Sequence, residues 1–197
     1  MKIYDISKEI FTSRVFPGDP APKRHVIRSM ESGSLYNLTA FTMCAHNGTH
    51  VDAPKHFIKD GKSIDQIDLS KFVGNAYVCT FDGILGATDA ENVLSVACKA
   101  LGDKCRKLLI KGKATVSADA AKVFANAELD LIGNESPTVG PEEAPLEVHN
   151  ILLEKQIVLL ESVVLTDVEE GVYMLSAAPI LLGESDGAPC RALLIKF

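Results

Sequence analysis

A chain of 197 residues with 47% hydrophobic content can bury one substantial core and is too short for two comfortable domains. Twenty-six acidic residues against twenty basic ones leave a formal net charge of -6, with no run of Lys or Arg, which excludes the electrostatic footprint of a nucleic-acid or anionic-membrane binder. No stretch of about 18 consecutive apolar residues is present, and the opening Met1-Lys-Ile-Tyr-Asp-Ile6 lacks the apolar block of a signal peptide, so a single cytoplasmic domain over residues 1–197 is expected.

Taken in chain order, short apolar runs rich in β-branched or aromatic residues read as strands over Lys2 to Ile6, His25 to Met30, Leu38 to Ala45 and Ala76 to Phe81. Thr88-Asp-Ala-Glu91 has the form of a capping box ahead of an Ala/Leu/Val-rich helix that ends near Gly102. A strand from Leu108 to Lys111 follows, then a helix capped by Ser117 and running through Asn126. A third helix opens around Pro145, where a missing N–H costs nothing, and continues through Leu153. Ile157 to Glu161, Tyr173 to Ala177 and Ala192 to Phe197 complete the set of strands. Strands outnumber helices, so the class is α/β or mixed. There is no internal repeat, low-complexity tract or Gly/Ser/Pro-rich linker to divide the chain. The five cysteines, Cys44, Cys79, Cys98, Cys105 and Cys190, are odd in number and have no CxxC spacing; they read as reduced core thiols.

Three of the five histidines fall within eleven residues, beside Asp52, in the pattern His46-x3-His50-x-Asp52-x3-His56. A helix is the wrong support for them. Asn47-Gly48 is a turn pair, Thr49 and Val51 are β-branched, and Pro54 has no N–H to donate. In an extended segment the side chains alternate with period two, so the four residues have one parity and can converge on one face. Pro54 also keeps Ala53 out of the α region. Imidazole and carboxylate ligands suit Zn(II), Mn(II) or Fe(II), and a set that leaves positions for water points to a catalytic site.

At these residues the chain resembles the cyclase family of metal-dependent hydrolases, which includes kynurenine formamidase and isatin hydrolase and carries the signature H-x-G-T-H-x-D-x-P-x-H. Every fixed position is present in His46-Asn-Gly48-Thr49-His50-Val-Asp52-Ala-Pro54-Lys-His56. The likeness extends to Tyr4-Asp5-Ile6-Ser7, to Phe16-Pro17-Gly18-Asp19, to Leu131-Ile132-Gly133, and to an end marked by Glu161, Leu165-x-Asp167-Val168, Gly171-x-Tyr173, Pro179 and Pro189-x-Arg191-Ala192.

The resemblance implies a β-rich α/β domain of the swivelling β/β/α type, assembled as a homodimer or homotetramer. It also implies Zn(II) or Mn(II), one or two ions per subunit. The first would be held by His46, His50 and Asp52; the second by Asp52, His149 and Glu161, a His and a Glu twelve residues apart as in formamidase-like members. His56 takes the acid/base role. Phe16 stands where relatives often have Trp and is a candidate substrate wall. Glu135, in Gly133-Asn134-Glu135, is a candidate partner for a ligand histidine or a loop carboxylate. The end loop from Gly183 to Pro189 is a candidate border of the site.

The implied activity is hydrolysis of a C–N bond in an amide, formamide or cyclic amide by metal-activated water, on a small-molecule carbonyl substrate, with no nucleic acid or membrane partner. Two alternatives use the same residues: a lactone or ester hydrolase, and a metal- or metabolite-binding protein without turnover. Phe16 in place of Trp, and the short Lys111 to Ser117 stretch without aromatic or Arg residues, make an aryl formamide less secure as the substrate.

Overall fold

A computed structural model describes residues 1–197. Its centre is a mixed nine-stranded sheet. Strands β1 (Lys2–Asp5), β2 (Lys23–Arg28), β3 (Leu38–Thr42), β4 (His50–Asp52), β5 (Val73–Thr80) and β6 (Gly83–Leu85) precede helix α1 (Ala87–Leu101). Then come β7 (Lys107–Lys111), β8 (Ala114–Val116), α2 (Ala118–Asn126), β9 (Leu131–Asn134), α3 (Leu146–Glu154), β10 (Val158–Glu161), β11 (Gly171–Ser176), β12 (Gly187–Pro189) and β13 (Leu193–Lys196). The spatial order of the large sheet is β1-β13-β11-β5-β7-β9-β10-β4-β12. Its middle strands β5, β7, β9 and β10 are parallel, and antiparallel strands flank them on both sides.

The eight expected strands are all present, with ends shifted by a few residues. Two of the three expected helices begin near where the local chemistry puts them: Ser117 Oγ accepts from the Ala120 N–H at 3.2 Å, and α3 follows directly on Pro145. The first helix is a correction. It is capped at Gly86, whose N–H donates to the Asp89 carboxylate at 3.0 Å, so Thr88 lies inside the first turn and Asp89, not Glu91, closes the cap.

Parallel strands buried on both faces read as continuous apolar runs, and their alternation sorts residues into two cores. Tyr77, Cys79, Leu108, Ile110, Ile132 and Leu159 point to one side. There α1, α2 and α3 cover them with Ala90, Ala97, Phe124, Val148 and Leu152. Ala76, Val78, Leu109, Leu131, Val158 and Leu160 point to the other, where they meet Val51, Phe72, Tyr173 and Leu194 from the antiparallel strands and loops. The fold is therefore of the α/β class with a β-rich frame, as expected.

Backbone packing between the central strands leaves no room at Gly133 of β9. A methyl group there would stand 2.5 Å from the Leu160 carbonyl oxygen and 2.9 Å from Leu109 Cδ2. We expect Gly133→Ala to lower unfolding free energy by roughly 1–3 kcal/mol, the usual cost of overpacking a core. Urea titration followed by circular dichroism measures this; an unchanged midpoint and slope would show that the β9–β10 spacing relaxes freely.

Candidate metal centre

The site forms where β4 is held between β10 and β12. Glu161 of β10 lies opposite His50, and Leu159 opposite Asp52; on the other edge Gly187 of β12 pairs with Asp52 and Pro189 with His50. Leu159 faces the helix-covered core, so Glu161, two residues on, shares that face. Val51 turns the opposite way into the second core, and this leaves His50 and Asp52 on the face where α3 packs. His149 comes from the buried side of α3, beside Val148 and Leu152.

His50, Asp52, His149 and Glu161 are all buried. His50 Nε2 lies 3.2 Å from Asp52 Oδ1 and 3.5 Å from Glu161 Oε2. His149 Nε2 is 3.6 Å from Asp52 Oδ2 and 3.3 Å from Glu161 Oε1. His46 adds Nδ1 at 2.8 Å from Asp52 Oδ1. Potential ligand atoms of His46, His50 and Asp52 lie within 4.8 Å of one another, as do those of Asp52, His149 and Glu161. Asp52, with one oxygen toward each group, is common to both.

The surroundings orient these donors. His50 Nδ1–H donates to the Gly48 carbonyl at 3.0 Å and His149 Nδ1–H to the Pro145 carbonyl at 2.9 Å, so each ring presents Nε2 to the carboxylates, the arrangement that fixes a ligand tautomer. The Val139 N–H donates to Glu161 Oε1 at 2.8 Å. Asn134 holds that loop by donating to the Ala114 and Thr138 carbonyls. Buried charges need partners or a metal, and three imidazoles around two buried carboxylates match the donor set of a divalent cation.

Electrostatics follow from the same packing. Burial alone would depress His46, His50 and His149, but Asp52, Glu161 and Asp186 outweigh it and raise each to about 10. Asp52 itself is held well below the ordinary carboxylate value: burial opposes ionisation, and the charges and hydrogen bonds of His46, His149 and His50 overcome it.

The single-face extended segment needs correction. Only His50–Asp52 is a strand; residues 54–56 form a 3-10 turn after an extended Ala53, and Gly48 has φ of 69°. His46 and His56 reach the site through these turns and stack on each other, centroids 4.0 Å apart. The structure decides between the two readings of Glu135. Its carboxylate accepts from the Gly112 and Leu165 N–H groups at 2.7 and 2.8 Å, so both oxygens brace backbone rather than a ligand histidine. Phe16 lines the cavity over the cluster.

Sequence reasoning missed Asp186 as an individual, although its loop was a candidate border. Asp186 Oδ2 lies 3.0 Å from His46 Nε2 and 3.2 Å from His56 Nδ1, and the only signal was an acid inside that Gly-rich loop. It also missed Phe57, whose ring meets His56 edge-on at 4.5 Å and His149 at 4.6 Å. The cavity over this cluster holds about 190 Å³ and is walled by Phe16, Phe57, Pro137 and Pro145, with Asp19 and Thr138 adding polar groups. No helix of the protein is long and apolar enough to cross a membrane.

Comparisons with known proteins agree with this fold. A family model described as "Putative cyclase" matches residues 4–141. Kynurenine formamidase of Bacillus anthracis is 32% identical, with 98% of this chain and 97% of the relative covered. A solved structure described as a potential metal-dependent hydrolase with cyclase activity superposes with a TM-score of 0.82 at 26% identity, covering 98% of this chain and 96% of its own. Isatin hydrolase A from Labrenzia aggregata shares the fold, with a TM-score of 0.84 at 19% identity over 100% of this chain and 94% of its own.

Two outcomes are expected. In metal-free protein, histidines raised to about 10 contribute stability that is fully present below the ordinary histidine value near 6.5 and is lost as pH rises through about 10. Protons compete with a cation for the same nitrogens, so divalent-metal affinity should rise with pH. Calorimetric titration and melting curves at pH 6 and pH 9 check both signs. Gly187→Ala makes an independent test: its methyl would stand 2.8 Å from His46 Cε1 and 2.8 Å from the Val51 carbonyl oxygen. It should weaken metal binding by about tenfold or more, as disturbance of ligand orientation does; chelator competition giving wild-type affinity would show that His46 does not need this close approach.

Proposed function

This chain belongs to the cyclase family, and from that premise we propose that it is a metal-dependent hydrolase cleaving the C–N bond of an amide, formamide or cyclic amide. The observation that carries the reading is the convergence of His46, His50, Asp52, His149 and Glu161 into two overlapping ligand groups. Zn(II) or Mn(II), one or two ions per subunit, fits these nitrogen and oxygen donors. When bound, such an ion lowers the pKa of water toward about 7 and polarises a carbonyl.

The remaining work falls to side chains. His56 has Nδ1 beside Asp186, which leaves Nε2 as its free nitrogen, and its ring lines the cavity. Burial keeps its pKa below 6.5, despite Asp52 and Asp186 pulling upward. It is therefore neutral near pH 7, able to accept a proton from water and then deliver it to the leaving nitrogen. Asp186 fixes the tautomer and orientation of that ring. Phe16 and Phe57 supply aromatic walls, and with the two prolines they limit the substrate to a compact, partly apolar acyl compound.

Asp52→Ala removes the residue shared by both ligand groups and should abolish bound metal and turnover together. Elemental analysis finding full metal content in that variant would end the assignment. His56→Gln should keep its metal and lose activity by on the order of 10² to 10⁴-fold. For substrate class, N-formyl aromatics, cyclic imides and lactones are to be compared under Zn(II) and Mn(II). Amide or imide turnover above lactone turnover is expected; the absence of any hydrolysis by metal-loaded protein would favour a binding role.

A further inference from the structure

We propose that His46, His56 and Asp186 form an outer site for one further divalent cation, distinct from the two ligand groups around Asp52, and that a cation bound there blocks turnover. Potential ligand atoms of the three residues lie within 4.8 Å of one another. A single carboxylate oxygen, Asp186 Oδ2, stands 3.0 Å from His46 Nε2 and 3.2 Å from His56 Nδ1. Nitrogen and oxygen ligands around a tetrahedral ion are themselves roughly 3.3 Å apart, so a cation entering between these atoms needs only a small spreading of the trio. His46 allows both sites at once because its two ring nitrogens face different carboxylates. Nδ1 is turned inward to Asp52 at 2.8 Å, and Nε2 outward to Asp186. An inner ion that takes Nδ1 leaves Nε2 for an outer one, with the Nε2 proton released to solvent as metal binding requires.

The outer trio is held in place as well as close together. The Asp186 carbonyl accepts from the Ala53 N–H at 2.9 Å, and the next residue, Gly187, pairs with Asp52 at the start of β12. On the other side the Ser185 carbonyl accepts from the Ile64 N–H at 2.9 Å, and Ser185 Oγ donates to the Gly187 carbonyl at 2.7 Å. Lys55 Nζ fixes the Glu184 carbonyl at 2.8 Å. The two imidazoles are stacked at 4.0 Å with their planes 25° apart. A carboxylate with its backbone braced this closely is positioned before any ion arrives, the condition for a specific site.

Donor chemistry and exposure set the identity and strength of the ion. Two imidazoles and one carboxylate favour Zn(II) over Mn(II). The His56 and Asp186 side chains are 27% and 44% exposed, so the site is open to solvent and weaker than the buried groups that share Asp52. Its consequence follows from His56. Asp186 orients that ring through Nδ1; a cation on Nδ1 moves the ring proton to Nε2, and the ring then has no lone pair with which to take a proton from water. This inhibitory half rests on the acid/base role proposed above for His56, whereas the binding half does not.

Calorimetric titration of Zn(II) into Zn(II)-loaded protein, freed of excess metal by gel filtration, tests the site. One further, weaker equivalent per chain is expected, and its absence would overturn the proposal. Asp186→Ala and His56→Gln should each weaken that equivalent by about tenfold or more, with the tightly held metal and the circular dichroism spectrum unchanged. An equivalent that both variants bind with wild-type affinity belongs to the buried groups and would overturn the outer ligand set. In wild-type protein, turnover should fall as Zn(II) rises, with the same midpoint as the calorimetric curve. Turnover that persists while the further equivalent is bound would overturn the inhibition. Protein that binds the equivalent through Asp186 and His56 yet hydrolyses nothing would support the outer site and remove only the hydrolase reading.

Discussion

Asp52 is a buried carboxylate surrounded by imidazoles, and the architecture around it is organised to keep it there. Burial opposes its charge, and only the three neighbouring histidines hold it ionised. That arrangement requires a strand short enough to be flanked by turns yet paired on both edges. β4 meets this condition, hydrogen-bonded to β10 on one side and to β12 on the other. Pairing with β10 brings Glu161 opposite His50, and packing of α3 on the helix-covered face brings His149. Since Val51 between His50 and Asp52 is fully buried in the second core, those two side chains cannot move without disturbing that core.

Much of the scaffold was legible because burial on both faces writes itself as apolar runs. Leu108 to Lys111 and Ile157 to Glu161 are such runs, and each became a central parallel strand. The strands that escaped notice, β6, β8 and β12, are three residues long and carry Gly, Pro or Thr. Their extended form comes from tertiary pairing, which no local pattern records. β9 is hidden differently. Leu131 to Asn134 contains a glycine that reads as a turn signal, yet Gly133 serves the close approach of the Leu160 backbone. At α1 the cap depended on Gly86 offering an N–H to Asp89, a backbone role that an attractive Thr-x-x-Glu pattern concealed.

The site was legible to the extent that its residues are close in sequence or fixed by spacing. His46, His50, Asp52 and His56 are gathered, although period-two alternation explains only the pair His50 and Asp52. Turns at Gly48 and Pro54 bring in the other two. Asp186 was invisible because its proximity to His46 and His56 depends on a loop 130 or more residues downstream. Glu135 stood open between two readings until its contacts were seen. A carboxylate near a motif suggests chemistry, but here two backbone N–H groups consume both oxygens.

These differences divide the centre into two mechanical halves. His50, Asp52, His149 and Glu161 sit on regular elements and are buried, and His50, His149 and Glu161 each have a side-chain atom bonded to backbone. His46, His56 and Asp186 sit on turns and are partly open, the Asp186 side chain 44% so. Under the proposed function a cation would need the first half to be rigid, because most of its ligands must be held before it arrives, with His46 joining them from the turn half. With His56 in the proposed acid/base role, a substrate would need the second half to be accessible, because a proton would be exchanged with a group that enters and leaves. Placing His56 on a 3-10 turn beside an exposed loop, rather than on the strand where its parity would have put it, meets the second need without weakening the first. Under the proposed function, the substrate preference of this chain is therefore best sought in the turn and loop half, in Phe16, Phe57 and the Gly183 to Gly187 loop, while the strand-borne half is fixed by the two cores.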